Sequence, residues 1–304
     1  MAISRHQLVK ELEPGLNALF GLEYNRYDNQ HAEIYTSESS DRAFEEEVML
    51  SGFGNASVKS EGSGVAFDNA QESFSARYTH ETVALAFAIT EEAIEDNLYD
   101  KISSRYTKAL ARSMSNAKQV KAAAPLNNGL PTADNFDSGD GVSLFNTAHT
   151  TVSGTNVKNT LTTQADLNET SLEQALIDIA AFTDERGLRV AAKGVKMIIP
   201  SANQFSAERL LKSQGRTGTA DNDINAVRSM GMVPQGYRVN NFLTDSDSWY
   251  IITDCPNGMK MFTRAPLTTA MEGDFDTGNV RYKARERYSF GVSDYRGIFG
   301  CEGA

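Results

Sequence analysis

Thr90-Glu91-Glu92-Ala93-Ile94-Glu95-Asp96-Asn97-Leu98-Tyr99 opens the longest uninterrupted helical pattern in the chain, with no Pro or Gly until Pro125. Thr90 is a good N-cap residue, because its hydroxyl accepts from the free N–H groups of a first turn. The pattern predicts one helix over 91–124, about 50 Å long at the usual rise per residue. Its charges follow the helix dipole. Glu91, Glu92, Glu95, Asp96 and Asp100 come early, whereas Lys101, Arg105, Lys108, Arg112, Lys118 and Lys121 come late. Ile94, Leu98, Ile102, Tyr106, Leu110, Met114 and Ala117 supply an apolar stripe expected to rest on a sheet. A helix of this length is a beam, and it speaks of architecture before chemistry.

Upstream, Phe74, Ala76, Tyr78 and His80, then Val83, Leu85, Phe87 and Ile89, alternate with period two and read as strand. Before them Ser51-Gly52-Phe53-Gly54-Asn55 and Glu61-Gly62-Ser63-Gly64 are dense in glycine. That composition suits an extended two-stranded excursion better than a core element. Residues 1–47 mix short apolar patches with polar runs. Leu8, Val9, Leu12, Leu16, Leu19 and Phe20 suggest a helix broken around Pro14-Gly15. The segment reads either as an arm lying on another subunit or as an extension packed on its own body.

Downstream, 150–163 is almost all Thr, Ser, Asn and Gly and reads as loop. A second unit then begins. Thr170-Ser171-Leu172-Glu173 has the form of a capping box, and Leu172, Leu176, Ile179 and Phe182 make a helix stripe. Val195-Lys196-Met197-Ile198-Ile199 is a strand closed by Pro200, 202–211 a helix, and Tyr237–Val239 and Trp249–Ile252 further strands. That order predicts an α+β unit around a small sheet. Finally, 280–290 alternates as one long strand expected to pair beside the long helix. Arg281, Lys283, Arg285 and Arg287 fall on one face, and Tyr282, Ala284, Glu286 and Tyr288 on the other.

The formal net charge is -11 over 304 residues, a surface that repels phosphate and argues against a protein built to grip nucleic acid. No apolar run is long enough to span a membrane. The start, Met1-Ala2-Ile3-Ser4-Arg5-His6, lacks the apolar core of a secretory signal, which leads one to expect synthesis and folding in a cytoplasm. Cys255 and Cys301 are the only cysteines. They are too few for a disulfide framework or a paired-cysteine zinc site, and they read as reduced thiols.

A search for chemistry ends without a site. His6, His31, His80 and His149 include no His-x-x-x-His pair, and His149 reads as a hydrogen-bonded structural residue. No Gly-x-Ser-x-Gly elbow occurs. Neither Gly187–Gly194 nor Gly215–Thr219 has phosphate-loop spacing, and the second reads as a mobile loop between helices. Asp245 and Asp247 sit in turn-like sequence, and Glu45-Glu46-Glu47 reads as a solvated face. No catalytic, cofactor-binding or metal-ligating set is assigned. The basic row on 281–287 is the one cationic cluster of note, suited to packaged nucleic acid or, better given the acidic chain, to salt bridges between subunits.

Several stretches together resemble the major capsid protein of tailed phages, with its Hong Kong ninety-seven-like fold, and most nearly the Mu-type major head subunits. They begin with Thr36-Ser37-Glu38-Ser39-Ser40-Asp41-Arg42-Ala43-Phe44-Glu45-Glu46 and Leu50-Ser51-Gly52-Phe53-Gly54. Phe74-Ser75-Ala76-Arg77-Tyr78-Thr79-His80 and Ile89–Tyr99 follow, then Arg186-Gly187-Leu188 with Ile198-Ile199-Pro200, and Tyr288–Gly297. The resemblance implies an α+β chain with an N-terminal arm (1–47) and an extended loop with flanking strands (48–89). It further implies a peripheral domain with the spine helix (90–164), an axial domain (165–264) and a return to the peripheral domain (265–304). It implies a protein that is no enzyme and needs no cofactor, self-assembling into hexamers and pentamers of an icosahedral shell in the host bacterial cytoplasm.

The implied partners are further copies of the chain, a portal protein, packaged double-stranded DNA held without sequence specificity and, as an optional addition, a cement protein, with no membrane. Some relatives carry a long cleaved scaffolding segment before the arm. Here the arm starts almost at once, which favours a separate scaffolding protein. Some relatives weld subunits through a loop lysine. Lys59 is the sole lysine between Val48 and Ile89, and it reads as solvated or salt-bridged. Two rivals remain at this stage: an encapsulin-type nanocompartment shell on the same fold, and a soluble hydrolase or sugar-binding protein.

Overall fold

The computed structural model describes residues 5–90, 92, 99–132, 136–216, 223–274 and 278–304. The long helix α2 covers Tyr99–Asn128. The expected first turns, from Glu91 to Leu98 with Glu92 excepted, lie outside the described residues. The buried face of α2 differs from the stripe predicted for it. Ser103, Thr107, Leu110 and Met114 are buried, while Tyr106 is half exposed. A strict four-residue spacing advances about 40° around the helix at each step, so such a row winds off any flat contact. Steps of four, three and four keep one face against the sheet, even where that face includes Ser and Thr.

The helix also passes through Pro125, where it was expected to stop. One ladder hydrogen bond is lost there, a turn before the end. The stop comes at Gly129, where a Cβ would lie 2.6 Å from the Pro125 carbonyl and 2.7 Å from Leu144 Cβ. Side chains from elsewhere serve the last turns. The Tyr35 hydroxyl donates to the Ala122 carbonyl (2.7 Å) and the Tyr250 hydroxyl to that of Leu126 (3.2 Å).

Two four-stranded sheets organise the rest. In the first, β1 (Thr36–Ser39) runs parallel to β10 (Met259–Gly273), which pairs antiparallel with β11 (Val280–Val292) and so on to β4 (Glu81–Ile89). The late strand therefore does pair beside the strand that leads into the helix. α1 (Arg5–Tyr24) is one helix with Pro14 inside it, not the broken one expected. Its Leu16 and Phe20 are buried with Leu110, Met114 and Tyr282, so this extension packs on its own body.

The second sheet has the order β12-β9-β7-β8, formed by Ile298–Cys301, Trp249–Thr253, Gly194–Ile199 and Tyr237–Val239. Residues 265–304 thus divide between the sheets, because β12 joins the second. Helices α3 (Glu169–Ala180) and α4 (Gln204–Lys212) and the short α5 (Ala226–Ser229) belong to this half. The capping box of α3 sits two residues earlier than predicted. Asn168 Oδ1 accepts from Ser171 N (2.9 Å), and Ser171 Oγ from Asn168 N (3.0 Å). Asn168 is the stronger cap, and it leaves Glu169 in the first turn facing the positive dipole end.

Residues 150–163 also depart from the loop reading. Two short strands, β5 (His149–Thr150) and β6 (Asn156–Val157), form there, and Val157, Asn159, Thr160 and Leu161 are buried. The remaining pair, β2 (Phe44–Leu50) and β3 (Glu72–Thr79), makes an antiparallel ribbon that carries the loop 51–71.

Candidate assembly surfaces

The β2–β3 ribbon is held by one face only. Ala76 and Tyr78 are buried with Phe262, and the Tyr78 ring meets Phe262 edge-on at 4.8 Å. Tyr78 lies flat over Gly291, where an added Cβ would fall 2.6 Å from the ring. The Tyr78 and Ser293 hydroxyls share a 2.5 Å hydrogen bond. On β2, Glu47 reaches the buried Lys260 Nζ at 2.5 Å, and Glu38 approaches the same amine at 3.2 Å. The acidic triplet is therefore no mere solvated face. Glu46 lies 3.7 Å from Arg77, and the Ser40 hydroxyl donates to Glu45 (2.6 Å).

The other face is open, apart from the Arg77 guanidinium, which lies 4.0 Å from the centre of the Phe44 ring. Phe44, Val48 and Leu50 point outward from β2, and Phe53, Val58, Val65 and Phe67 project from the loop. Val58 and Phe67 are each 98% exposed. Exposed apolar residues scattered singly are ordinary, but seven within 24 positions, on a ribbon stretched away from the core, mark a surface that needs a partner.

Among the described residues, the loop is tied to the body near its base and along one flank. Arg186 Nη2 donates to Asp68 Oδ1 (2.8 Å), whose other oxygen accepts from Gly54 N (2.7 Å). The backbone bonds from Gly54 N and Asn69 N, followed by Arg186, hold the Asp68 carboxyl below its ordinary range. Ser73 Oγ donates to the buried Glu185 (3.0 Å). Glu185 in turn takes Arg296 Nη2 (2.6 Å) and Val152 N (3.1 Å).

The residues singled out for chemistry build packing instead. His149 is buried, with Nδ1 at 2.6 Å from Asp140 Oδ2 and Nε2 at 3.1 Å from Asn159 Oδ1. Its ring stacks on Tyr295 at 3.9 Å, and the Arg296 guanidinium lies over the same Tyr295 ring. Burial works to raise the Asp140 pKa, but bonds from His149, Ser138 and Val142 N outweigh it and leave the group below its usual range.

Asn159, which no sequence pattern flagged, is the joint of this region. Its amide donates to the carbonyls of Leu144 (2.8 Å), Tyr295 (3.2 Å) and Ile298 (3.3 Å), and Asn146 N donates to its Oδ1 (2.9 Å). Its signal was hidden in a polar run whose composition is that of a loop. His80 bridges Ser40 and Ser289, and His31 lies against Gln119. Asp247 N bonds back to Asp245 Oδ1 (3.1 Å), the local role expected of that pair. Gly215 and Arg216 are ordered, the latter paired with Glu169, and 217–222 lie outside the described residues. Cys301 is buried and Cys255 half-buried, both free. Among the described residues no group of three or more His, Cys, Asp or Glu is placed to hold a metal ion. No described helix is long and apolar enough to cross a membrane.

Residues 73–300 match the phage capsid protein family. The chain belongs to that family. This capsid protein shares its fold, at low identity, with solved shells. The capsid of an empty GTA particle aligns with a TM-score of 0.54 and 13% identity over 91% of each chain. The capsid of Myoviridae phage XM1 gives 0.51 and 12% over 89% of each, and the structure from Mycobacterium phage Bobi 0.52 and 11% over 91% of each. No curated protein matches it. The fold is therefore Hong Kong ninety-seven-like, and the function is that of a major capsid protein, a structural subunit of an icosahedral virion shell and not an enzyme. The hydrolase and sugar-binding rivals fall away.

Proposed function

We propose that this protein is the Mu-type major head subunit of a tailed phage, closing with portal protein around double-stranded DNA. The observation that carries the reading is the one-sided ribbon, buried along Ala76 and Tyr78 and open along Phe44, Val48 and Leu50. Its outer face and loop would lie on neighbouring copies, so part of the stability would be intermolecular and would grow with assembly.

In this reading the first sheet with α2 is the peripheral domain. The second sheet with α3 and α4 is the axial domain, meeting its equivalents at the centres of hexamers and pentamers. The axial domain then covers 165–258 together with β12, since 259–264 already lie on β10 of the first sheet. Lys59 is exposed, without the burial that a nucleophilic amine requires, and no covalent weld is part of the reading. The family match at 73–300 favours a phage shell over a cargo-storing nanocompartment.

Negative-stain microscopy and sedimentation of the purified protein test the proposal. Closed shells of megadalton mass are expected, and Val58→Asp with Phe67→Asp should leave folded subunits that do not close. A wild-type protein that stays monomeric at every concentration and salt would end it.

A further inference from the structure

From Lys101 to Asn128 the sequence places six cations and no carboxylate, in a chain whose formal net charge is -11. Two of the six are neutralised within the subunit. Lys118 Nζ meets the buried Glu286 at 3.3 Å, and Lys121 pairs with Glu81. Arg105, Lys108 and Arg112 are exposed on α2 and have no carboxylate in ion-pair range among the described residues. Their spacing of three and four puts them on one stripe, about 10 Å long at the helical rise. Like charges at that spacing weaken a helix unless an anion lies across them.

The ground around the stripe suits a long anion. Ala109, Ser113 and Asn116, exposed between and beyond the cations, keep it low. Arg112 Nη2 donates to the Tyr27 hydroxyl (2.8 Å), and its guanidinium lies 5.6 Å from the centre of that ring, which fixes it with N–H groups to spare. Glu23 faces the stripe from α1, but Arg26 Nη1 holds it at 3.3 Å and its side chain is only 12% exposed. The next carboxylate along the chain, Asp28, borders the cleft of Glu33, Arg238 and Asn240 instead. This face is also clear of the ribbon. α1 and α2 share one side of the first sheet, where Leu16, Phe20, Leu110 and Met114 pack on Tyr282 and Ala284. Tyr78 and His80 sit on the other side, against Gly291 and Ser289, positions of β11 that point opposite to Tyr282 and Ala284.

We propose that this stripe, Arg105, Lys108 and Arg112, is where the shell meets packaged nucleic acid, through the phosphates of a duplex and without reading its bases. The inference rests on the capsid reading, which supplies the duplex, and deepens it by assigning the face. Three cations over about 10 Å match the phosphates that one DNA strand presents over the same length, roughly one per 3.4 Å of axis. Contacts from Arg and Lys to phosphate position a duplex and carry no sequence information. The acidic remainder of the subunit keeps each contact weak, and many copies sum them. An acidic protein is the competing occupant, which the test separates.

The experiment titrates full-length subunits, below the concentration at which they assemble, into a short fluorescent DNA duplex at about 0.05 to 0.3 M salt. Wild type should bind with an affinity that falls as about the third power of the salt concentration, the mark of three phosphate contacts. Arg105→Gln/Lys108→Gln/Arg112→Gln should weaken binding by about tenfold or more at the lowest salt and lose most of that slope, with subunit melting and shell closure as in wild type. Lys283→Gln/Arg285→Gln, on the opposite face, should bind as wild type does. Poly-glutamate at matched charge should compete about tenfold less well than unlabelled duplex, since its charge is sparser. Wild-type binding by the triple variant overturns the proposal, as does loss of binding in the opposite-face variant alone. So does poly-glutamate competing as well as duplex, which would make the stripe a seat for an acidic protein. Shell closure by wild type is read separately, and its failure overturns the capsid reading itself, whatever the duplex does.

Discussion

Arg186 and Asp68, 118 positions apart, meet at 2.8 Å and form the one ion pair that ties the flank of the exposed loop 51–71 to the second sheet's half, among the described residues. Arg186 is well placed because its turn is rigid. Asp184 Oδ1 accepts from the N–H groups of Arg186 and Leu188, and Gly187 takes a positive φ of 84°. Both partners of the pair are partly exposed, so the clasp costs little to open and positions the loop without locking it. Arg186→Gln or Asp68→Asn should raise the rate of proteolytic cleavage within 51–71 severalfold while subunit melting stays within about 2 °C of wild type. Unchanged cleavage would show that the clasp does not hold the loop.

Beneath that clasp lies a buried counterpart that behaves differently. Arg296 and Glu185 pair at 2.6 Å with side chains 4% and 2% exposed, and Arg296 also takes Asp294 (3.2 Å) and the Thr183 carbonyl (2.8 Å). Burial raises the Asp294 pKa, against the pull of Arg296. Arg296→Met strands two carboxylates in a dry site and should cost about 3–5 kcal/mol in urea unfolding of the subunit. Adding Glu185→Gln should recover part of this loss. A variant as stable as wild type would mean that water reaches the cluster.

Acid should loosen the N-terminal packing through His31. Burial and then Lys118 lower its pKa to about 4, against the bond from Gln119. The unfolded chain takes up the proton near pH 6.5, well before the folded one does. This group's stabilising contribution is therefore complete above about pH 6.5 and is lost as the pH falls toward 4. Between pH 7 and 5 the loss should be on the order of 2 kcal/mol. His31→Gln should flatten that part of the stability profile. Parallel profiles for the two proteins would remove His31 from the account.

Legibility followed a physical rule in this chain. Alternation survives tertiary context because a strand has two faces, so the opposite burial of Arg285 and Glu286 was readable. Helix faces were less so. The buried row on α2 is Ser103, Thr107, Leu110 and Met114, and half of it is polar, so hydrophobic pattern alone chose a row that winds away through Tyr106. Pro14 and Pro125 were read as breaks, yet α1 and α2 run through them. Asn159 and Glu185 act through partners more than 110 positions away, at Tyr295 and Arg296, and no local window contains that information. The ribbon was legible as a ribbon because glycines and alternation are local.

The turn at the tip of that ribbon allows a separate test of its geometry. Ser63 N donates to the Ser60 carbonyl (3.2 Å), as does Ser63 Oγ (2.7 Å), and Gly62 closes the turn with a φ of 77°. Proline is fixed near −65°, so Gly62→Pro must open the turn and splay the two arms of the loop. No atom lies within 4 Å of a Cβ built at Gly62, so subunit folding has nothing to lose there. The expected result is unchanged melting of the subunit with misshapen or open particles by microscopy. Gly62→Asn is the control, since Asn tolerates the left-handed region and should preserve closure. Closed shells of normal size from Gly62→Pro would show that assembly does not depend on the shape of this turn.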